Sequence, residues 1–94
     1  MRVNWTKPFA ANLESARVYV AAEDSISAVV VIKRVMETLH ILSRLSDAGR
    51  PHFHRPDARS IPVPDSPFVL VYDVNDDGIN LLALYHQAMK WPGS

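Results

Sequence analysis

The chain has 94 residues and a formal net charge of zero, and hydrophobic residues make up 48% of it. This length predicts one domain over residues 1–94, and the hydrophobic fraction excludes a disordered chain. The chain lacks Cys, a membrane-length apolar run and a signal peptide's apolar segment at its N-terminus, so a cytoplasmic protein without disulfides or thiolate metal sites is expected.

The N-terminal quarter predicts a short strand followed by a helix. In residues 2–5, apolar and polar side chains alternate, as they do in a strand. Thr6 is a favourable N-cap, and Pro8 fits a first helical turn because its missing N–H is not needed there. Apolar residues at helical spacing then predict a helix over residues 7–22: Phe9, Leu13, Ala16 and Val20. The polar residues off this stripe are Asn12, Glu14 and Arg17.

A longer helix is predicted over residues 25–48. Ser25 is the expected N-cap, Gly49 the expected residue after the helix end, and Pro51 would prevent its continuation. The apolar stripe of this helix is Ala28, Ile32, Val35, Leu39 and Leu42. Two helices separated by a short polar break predict an α-helical hairpin.

The second half predicts strands. Residues 49–56 contain two prolines and predict a loop, strands follow at 58–63, 68–74 and 79–86, and residues 87–94 form a tail. The order β-α-α-β-β-β predicts an α+β fold with the helical hairpin packed on one face of a small antiparallel sheet. Four apolar side chains of the last two strands are expected on the far face: Val69, Val71, Leu82 and Leu84.

The segment DVNDDG, residues 73–78, resembles the start of a calcium-binding loop. Asp73, Asn75 and Asp77 fit the first ligand positions, but Leu84 stands where the bidentate Glu is required. Both flanks are short apolar runs typical of strands. The segment therefore predicts a β-hairpin turn, with Gly78 supplying a positive φ, and no calcium site.

Two groups of residues suggest chemistry. His52 and His54 could form a metal pair, but no further ligands complete a zinc site, so a solvated loop is favoured. His86 ends the last strand and Arg59 lies on an earlier one, where they could serve acid–base chemistry on a phosphodiester. The simpler interpretation is that His86 bonds a neighbouring backbone group.

The whole chain up to residue 92 resembles the RelE/ParE superfamily. The resemblance rests on the order and spacing of six motifs: W-T-x-x-F-A, L-x-x-A-R-x-Y-V-A, G-R-P, D-A-R-S-I-P-V, F-V-L-V-Y-D-V and L-Y-H-Q-A-M-K-W-P. The chain departs from the family pattern at two positions. Met89 stands where an Arg is common, and Ser60 stands where a Glu is common.

The resemblance implies a toxin of a bacterial type II toxin–antitoxin system. Such toxins are blocked by an antitoxin whose flexible segment wraps the helices and the sheet. RelE-like members cleave messenger RNA on the ribosome, and ParE-like members poison DNA gyrase. The long helical hairpin and the G-R-P and K-W-P motifs resemble the ParE branch.

Charge favours the gyrase hypothesis, since docking on ribosomal RNA favours a basic surface and this chain is neutral. The expected partners are an antitoxin and gyrase, without cofactor, metal, membrane or direct nucleic-acid binding. The candidate target-binding residues are Arg59, His86, Lys90 and Trp91, and no catalytic residue is expected. The alternative is a ribosome-dependent ribonuclease using Arg59, His86 and Lys90. A second alternative is a degenerate homologue that only binds its antitoxin.

Overall fold

A computed structural model describes residues 1–52 and 55–88 and confirms the α+β class with a helical hairpin on a sheet. The elements in chain order are β1 (Val3–Trp5), α1 (Lys7–Ala21), α2 (Ser25–Arg44), β2 (Arg50–His52), β3 (Arg55–Pro62), β4 (Phe68–Asn75) and β5 (Gly78–His86). Within these ranges, neither helix is long and apolar enough to cross a membrane.

The sheet has five strands in the order β1-β5-β4-β3-β2. Its hairpin-connected strands are antiparallel, but β1 pairs in parallel with β5, so the expectation of a purely antiparallel sheet is wrong. The turn signals that predict hairpins cannot predict this pairing, because β1 and β5 are more than 70 residues apart in the sequence. The predicted loop over residues 49–56 is also wrong, because it contains β2. Pro51 is tolerated there because β2 is an edge strand, where no N–H is required on the open side.

Helix α1 begins as its sequence predicts. The Thr6 hydroxyl accepts a hydrogen bond from the Phe9 amide at 3.2 Å, and Pro8 lies in the first turn. The same hydroxyl donates to the Leu81 carbonyl at 2.7 Å, which ties the helix start to β5. Two turns after the start of the helix, Glu14 and Arg17 form an exposed ion pair with an N–O distance of 2.6 Å.

Helix α2 differs from its prediction at both ends. Its N-cap is Asp24, not Ser25, because the Asp24 carboxylate accepts bonds from the Ile26 amide at 2.9 Å and the Ser27 hydroxyl at 3.0 Å. The helix ends at Arg44 rather than at residue 48, so Gly49 is not its stop signal. The chain turns away after Leu45, and the Tyr72 hydroxyl donates to the carbonyl of Ser46 at 2.9 Å.

Gly49 serves a different purpose from the one predicted. Its amide donates to the Tyr72 hydroxyl at 2.8 Å, and a Cβ on Gly49 would lie only 2.8 Å from the Tyr72 ring. The close approach of backbone to ring therefore requires glycine here. Burial of the Tyr72 side chain raises the pKa of its hydroxyl.

The main core lies between the helices and the sheet. Its fully buried members include Phe9, Val35, Leu42, Leu70 and Tyr72. A smaller cluster on the far face comprises Ala58, Val71 and Ala83, with Leu82 and Tyr85 packed against it.

A β-bulge changes which β5 side chains face the helices. Val71 pairs with Ala83 and Tyr72 pairs with Leu81, so Leu82 has no opposite residue. One extra residue shifts the two-residue alternation, which places Leu84 in the main core. The predicted far-face position of Leu84 is therefore wrong, whereas Val71 and Leu82 do belong to the far-face cluster.

The DVNDDG segment forms the predicted hairpin turn between β4 and β5. Asn75 pairs with Gly78, and the Asn75 side chain accepts a bond from the Asp77 amide at 2.9 Å. Gly78 has a φ of 114°, which explains the glycine. That this turn does not bind calcium stays a prediction.

Candidate functional site

An open groove of about 500 Å³ runs between α1 and the end of β5. One wall is a single face of α1, formed by residues three, four and seven positions apart. The opposite wall is the last part of β5 with the first residue of β4. The lining residues are Asn12, Ser15, Ala16, Tyr19, Phe68, Leu84, Tyr85, His86 and Ala88.

Asn12 holds one side of this groove open. Strand β1 covers the edge of β5 only as far as Leu81, and within residues 1–52 and 55–88 no strand pairs with the edge beyond that residue. The Asn12 side-chain oxygen accepts a hydrogen bond from the Leu84 amide at 3.1 Å. A helix side chain thus takes the place of a strand partner, and α1 stands beside the edge without closing over it.

His86 is the last residue of β5 and lies at the end of the groove. Its ring makes edge-to-face contacts with Tyr19, with centroids 5.8 Å apart, and with Phe68, with centroids 5.5 Å apart. Its Nδ1 atom accepts a bond from the Ala88 amide at 3.0 Å, which places the neutral ring's proton on Nε2. This backbone bond matches the simpler interpretation of His86.

Arg59 lies on β3, away from the groove. One terminal nitrogen of its guanidinium donates to the Gly49 carbonyl at 2.8 Å, beside the Tyr72 hydroxyl. This contact fastens the turn that follows α2 to the sheet.

The structure does not bring Arg59 and His86 together. Arg59 pairs with Tyr72 and His86 pairs with Phe68. Those partners are four residues apart on β4, which amounts to about 13 Å along the strand, and β3 and β5 lie on opposite sides of it. Lys90 and Trp91, the other two candidates, lie outside the described residues.

None of the candidate site residues predicted from the sequence belongs to α1, which forms one wall of the groove. The sequence pattern places Asn12 among the polar residues off the core stripe and assigns Tyr19 no role in a site. The available signal was their spacing of seven residues, which places both on one helix face. Leu84 could not be assigned to this site because the bulge at Leu82 reverses its face.

The prediction that His52 lies in a solvated loop is wrong. His52 is the last residue of β2 and is buried, with 2% of its surface exposed. His54 lies outside the described residues. Among residues 1–52 and 55–88, no group of three or more His, Asp or Glu side chains is placed to hold a metal ion.

Known proteins are similar to this chain in sequence and in fold. Residues 3–91 match the family described as the ParE toxin of the type II toxin–antitoxin system parDE. A protein of Sinorhizobium fredii (strain NBRC 101917 / NGR234), named "Putative toxin Y4kP", is 24% identical over 91 residues, which cover 97% of this chain and 93% of that protein.

A solved structure of the chromosomal ParDE system from P. aeruginosa contains a chain with the same fold. The TM-score is 0.78 at 25% identity, and the match covers 92% of this chain and 95% of that one. The family match extends from β1 through β5, so it includes every element that builds the groove. The chain therefore belongs to the ParE toxin family of type II toxin–antitoxin systems.

Proposed function

We propose that this chain is a toxin that inhibits DNA gyrase through protein contacts, and that an antitoxin neutralises it by placing a segment in the α1–β5 groove. The observation that carries the proposal is the groove itself, which is open and mostly apolar in a chain of the ParE family. Tyr19 forms part of its wall although 61% of the side chain remains exposed. Exposed aromatic side chains beside a groove are typical anchors for a partner.

The free edge of β5 adds a polar component to this binding site. Leu84 and His86 are two residues apart, so their backbone groups point to the same side of the strand, away from β4. The Leu84 amide is already bonded to Asn12. No described residue bonds the His86 backbone on this edge, so a partner segment can bond it there, beside apolar walls that would cover its side chains.

Inhibition through contacts is favoured over catalysis by the separation of the candidate residues. Cleavage of RNA requires acid–base groups that meet at one phosphodiester. Arg59 is bonded to Gly49 and lies far from His86 along the sheet. The proposed gyrase-contacting residues are Arg59, His86, Lys90 and Trp91.

A supercoiling assay tests the gyrase part. The purified chain should inhibit gyrase, and a chain ending at Ala88 should not, because it lacks Lys90 and Trp91. That truncation keeps the bond from the Gln87 amide to the Pro67 carbonyl, so β5 retains its pairing. His86→Ala and Arg59→Ala should each weaken inhibition. If the truncated chain inhibits as well as the full chain, the proposed contact surface is wrong.

A translating extract separates the two activities. The full chain should leave messenger RNA intact there. Cleavage that is lost in His86→Ala would establish the ribonuclease alternative instead. No effect in either assay, with antitoxin binding retained, would identify the chain as a homologue that only binds its antitoxin.

The antitoxin part is tested by filling the groove. Ser15 is exposed and lines the groove, so Ser15→Trp should abolish capture of the antitoxin encoded by the adjacent gene. Ala10→Trp is the matched control, since Ala10 is exposed on α1 outside the groove lining. Circular dichroism should show that both variants fold. Equal capture by both would place the antitoxin elsewhere.

A further inference from the structure

The outward face of α2 is unusually apolar for a surface that nothing in the described chain covers. Three β-branched side chains near its start are largely exposed: Ile26 at 74%, Val29 at 69% and Val30 at 44%. Two more apolar side chains follow, Met36 at 40% and Ile41 at 43%. Exposed apolar surface of this extent along one helix indicates an interaction surface.

These residues share one face with four polar side chains. At about 100° per residue, the nine fall within an arc of about 140°. We call this arc the outer α2 face; it comprises Ile26, Val29, Val30, Lys33, Met36, Glu37, His40, Ile41 and Arg44. Its centre lies opposite Val35, which is fully buried in the core.

The charged centre of the outer α2 face is complementary to itself. If two copies pack antiparallel about a two-fold axis opposite Val35, each residue before Val35 meets the residue equally far after it on the second copy. Lys33 then meets Glu37 of the second copy, and the symmetry repeats that ion pair. Ile26 likewise meets Arg44, since both lie at the centre of the arc. A parallel arrangement would instead place Lys33 near Lys33.

The charges needed for this pairing are available. Lys33 forms no ion pair with any residue in the described ranges 1–52 and 55–88. Glu37 is held only loosely by its own helix, at 4.0 Å from Arg34, which also contacts Asp65 at 3.5 Å. The chain has zero net charge, so two copies do not repel each other at long range.

We propose that the outer α2 face mediates formation of an antiparallel homodimer. Of the described residues that line the α1–β5 groove, all lie on α1, β4, β5 or the turn after β5, so the dimer leaves the groove open to an antitoxin. A 20-residue helix is about 30 Å long, so the interface belongs to the small class below ~1,200 Å². We expect a dissociation constant on the order of micromolar.

Sedimentation velocity with charge reversals tests the pairing. Lys33→Glu and Glu37→Lys should each raise the dissociation constant by about tenfold or more, because both ion pairs become repulsive. The double variant should restore dimerisation. An equimolar mixture of the two single variants should also form a dimer, because opposite charges then face each other. Lys7→Glu, the same charge change on exposed α1 surface, is the control and should have no effect.

Disulfide trapping tests the register, since the natural chain has no Cys. A mixture of Ile26→Cys and Arg44→Cys chains should form a linked dimer on mild oxidation. Ile26→Cys alone should not, because the two copies of that position would lie about 27 Å apart, beyond the ~7 Å reach of a disulfide.

Three outcomes would overturn the dimer. One is a monomer at all concentrations up to the order of 100 µM. Another is a dimer that is insensitive to both charge reversals. The third is an antitoxin whose affinity falls with Lys33→Glu, which would assign the outer α2 face to the antitoxin. Gyrase inhibition and capture through the groove are measured separately, so failure of the dimer leaves them untouched.

Discussion

Thr6 joins two elements through one hydroxyl. It caps α1 by accepting from the Phe9 amide and anchors β5 by donating to the Leu81 carbonyl. Thr6→Ala should lower the free energy of unfolding by about 1–2 kcal/mol, since a cap and a second bond are both lost. Urea denaturation measures the change. Thr6→Ser keeps the hydroxyl and is the control; if it loses as much stability as Thr6→Ala, the hydroxyl bonds are not the cause.

Tyr72, like Thr6, joins two parts of the chain through one hydroxyl, but its side chain is buried. Its hydroxyl accepts a hydrogen bond from the Gly49 amide and donates one to the Ser46 carbonyl. Tyr72→Phe should lower the free energy of unfolding by about 1–3 kcal/mol, because the buried amide loses its partner. Tyr19→Phe, on an exposed ring, is the matched control in the same denaturation experiment. A similar loss in both variants would contradict this explanation.

Helix α2 depends on the ionisation of Asp24. The Ser27 hydroxyl and then the Ile26 amide bond its carboxylate and lower its pKa. A lowered pKa in the folded state means that this stabilisation is present above the unfolded value near 4 and is lost as the pH falls through the lower folded value. Asp24→Asn keeps a capping oxygen without titrating. Its melting temperature should therefore fall less steeply than that of the natural chain between about pH 5 and pH 2. Parallel curves would show that Asp24 does not contribute.

The β4–β5 turn and β1 are coupled through Gly78. A Cβ at this position would collide with the Arg2 carbonyl oxygen, which accepts a hydrogen bond from the Ile79 amide. Gly78→Ala should therefore destabilise the chain by more than the ~1 kcal/mol expected from a positive φ alone, because the pairing of β1 is also disturbed. Hydrogen exchange should show faster exchange at Ile79 and Asn80. Unchanged exchange there would mean that β1 tolerates the methyl group.

Features of the helices and strands that depend on neighbouring residues could be predicted from the sequence, and features that depend on distant residues could not. Helical spacing and the Thr6 cap are local signals, and the structure contains the helix that they predict. The end of α2 depends on Tyr72, which is distant in sequence, and the face of Leu84 depends on a bulge set by pairing with β4. Neither is encoded in a short window. The groove needs both the α1 face and the shifted β5 face, so only its His86 end was among the predicted site residues.

The whole molecule should gain stability from its antitoxin. The groove exposes the Tyr19 ring and the end of β5, and a bound segment would cover both. Binding to the folded chain alone stabilises it by about 2.7 kcal/mol at a free antitoxin concentration 100 times the dissociation constant. Differential scanning calorimetry should show a rise in melting temperature with the natural chain and none with Ser15→Trp. An equal rise for both would contradict the groove as the binding site.

The parallel pairing of β1 with β5 also constrains when the protein becomes functional during its synthesis. Val3 pairs with Ile79, so β1 remains unpaired until β5 has also left the ribosome. Contacts between such distant residues form late in folding. We expect nascent chains stalled before Gly78 emerges to be cleaved rapidly by protease, and released chains to resist it. The chain would then become active only after β5 has emerged, and an antitoxin already present in the cell would meet it at that point.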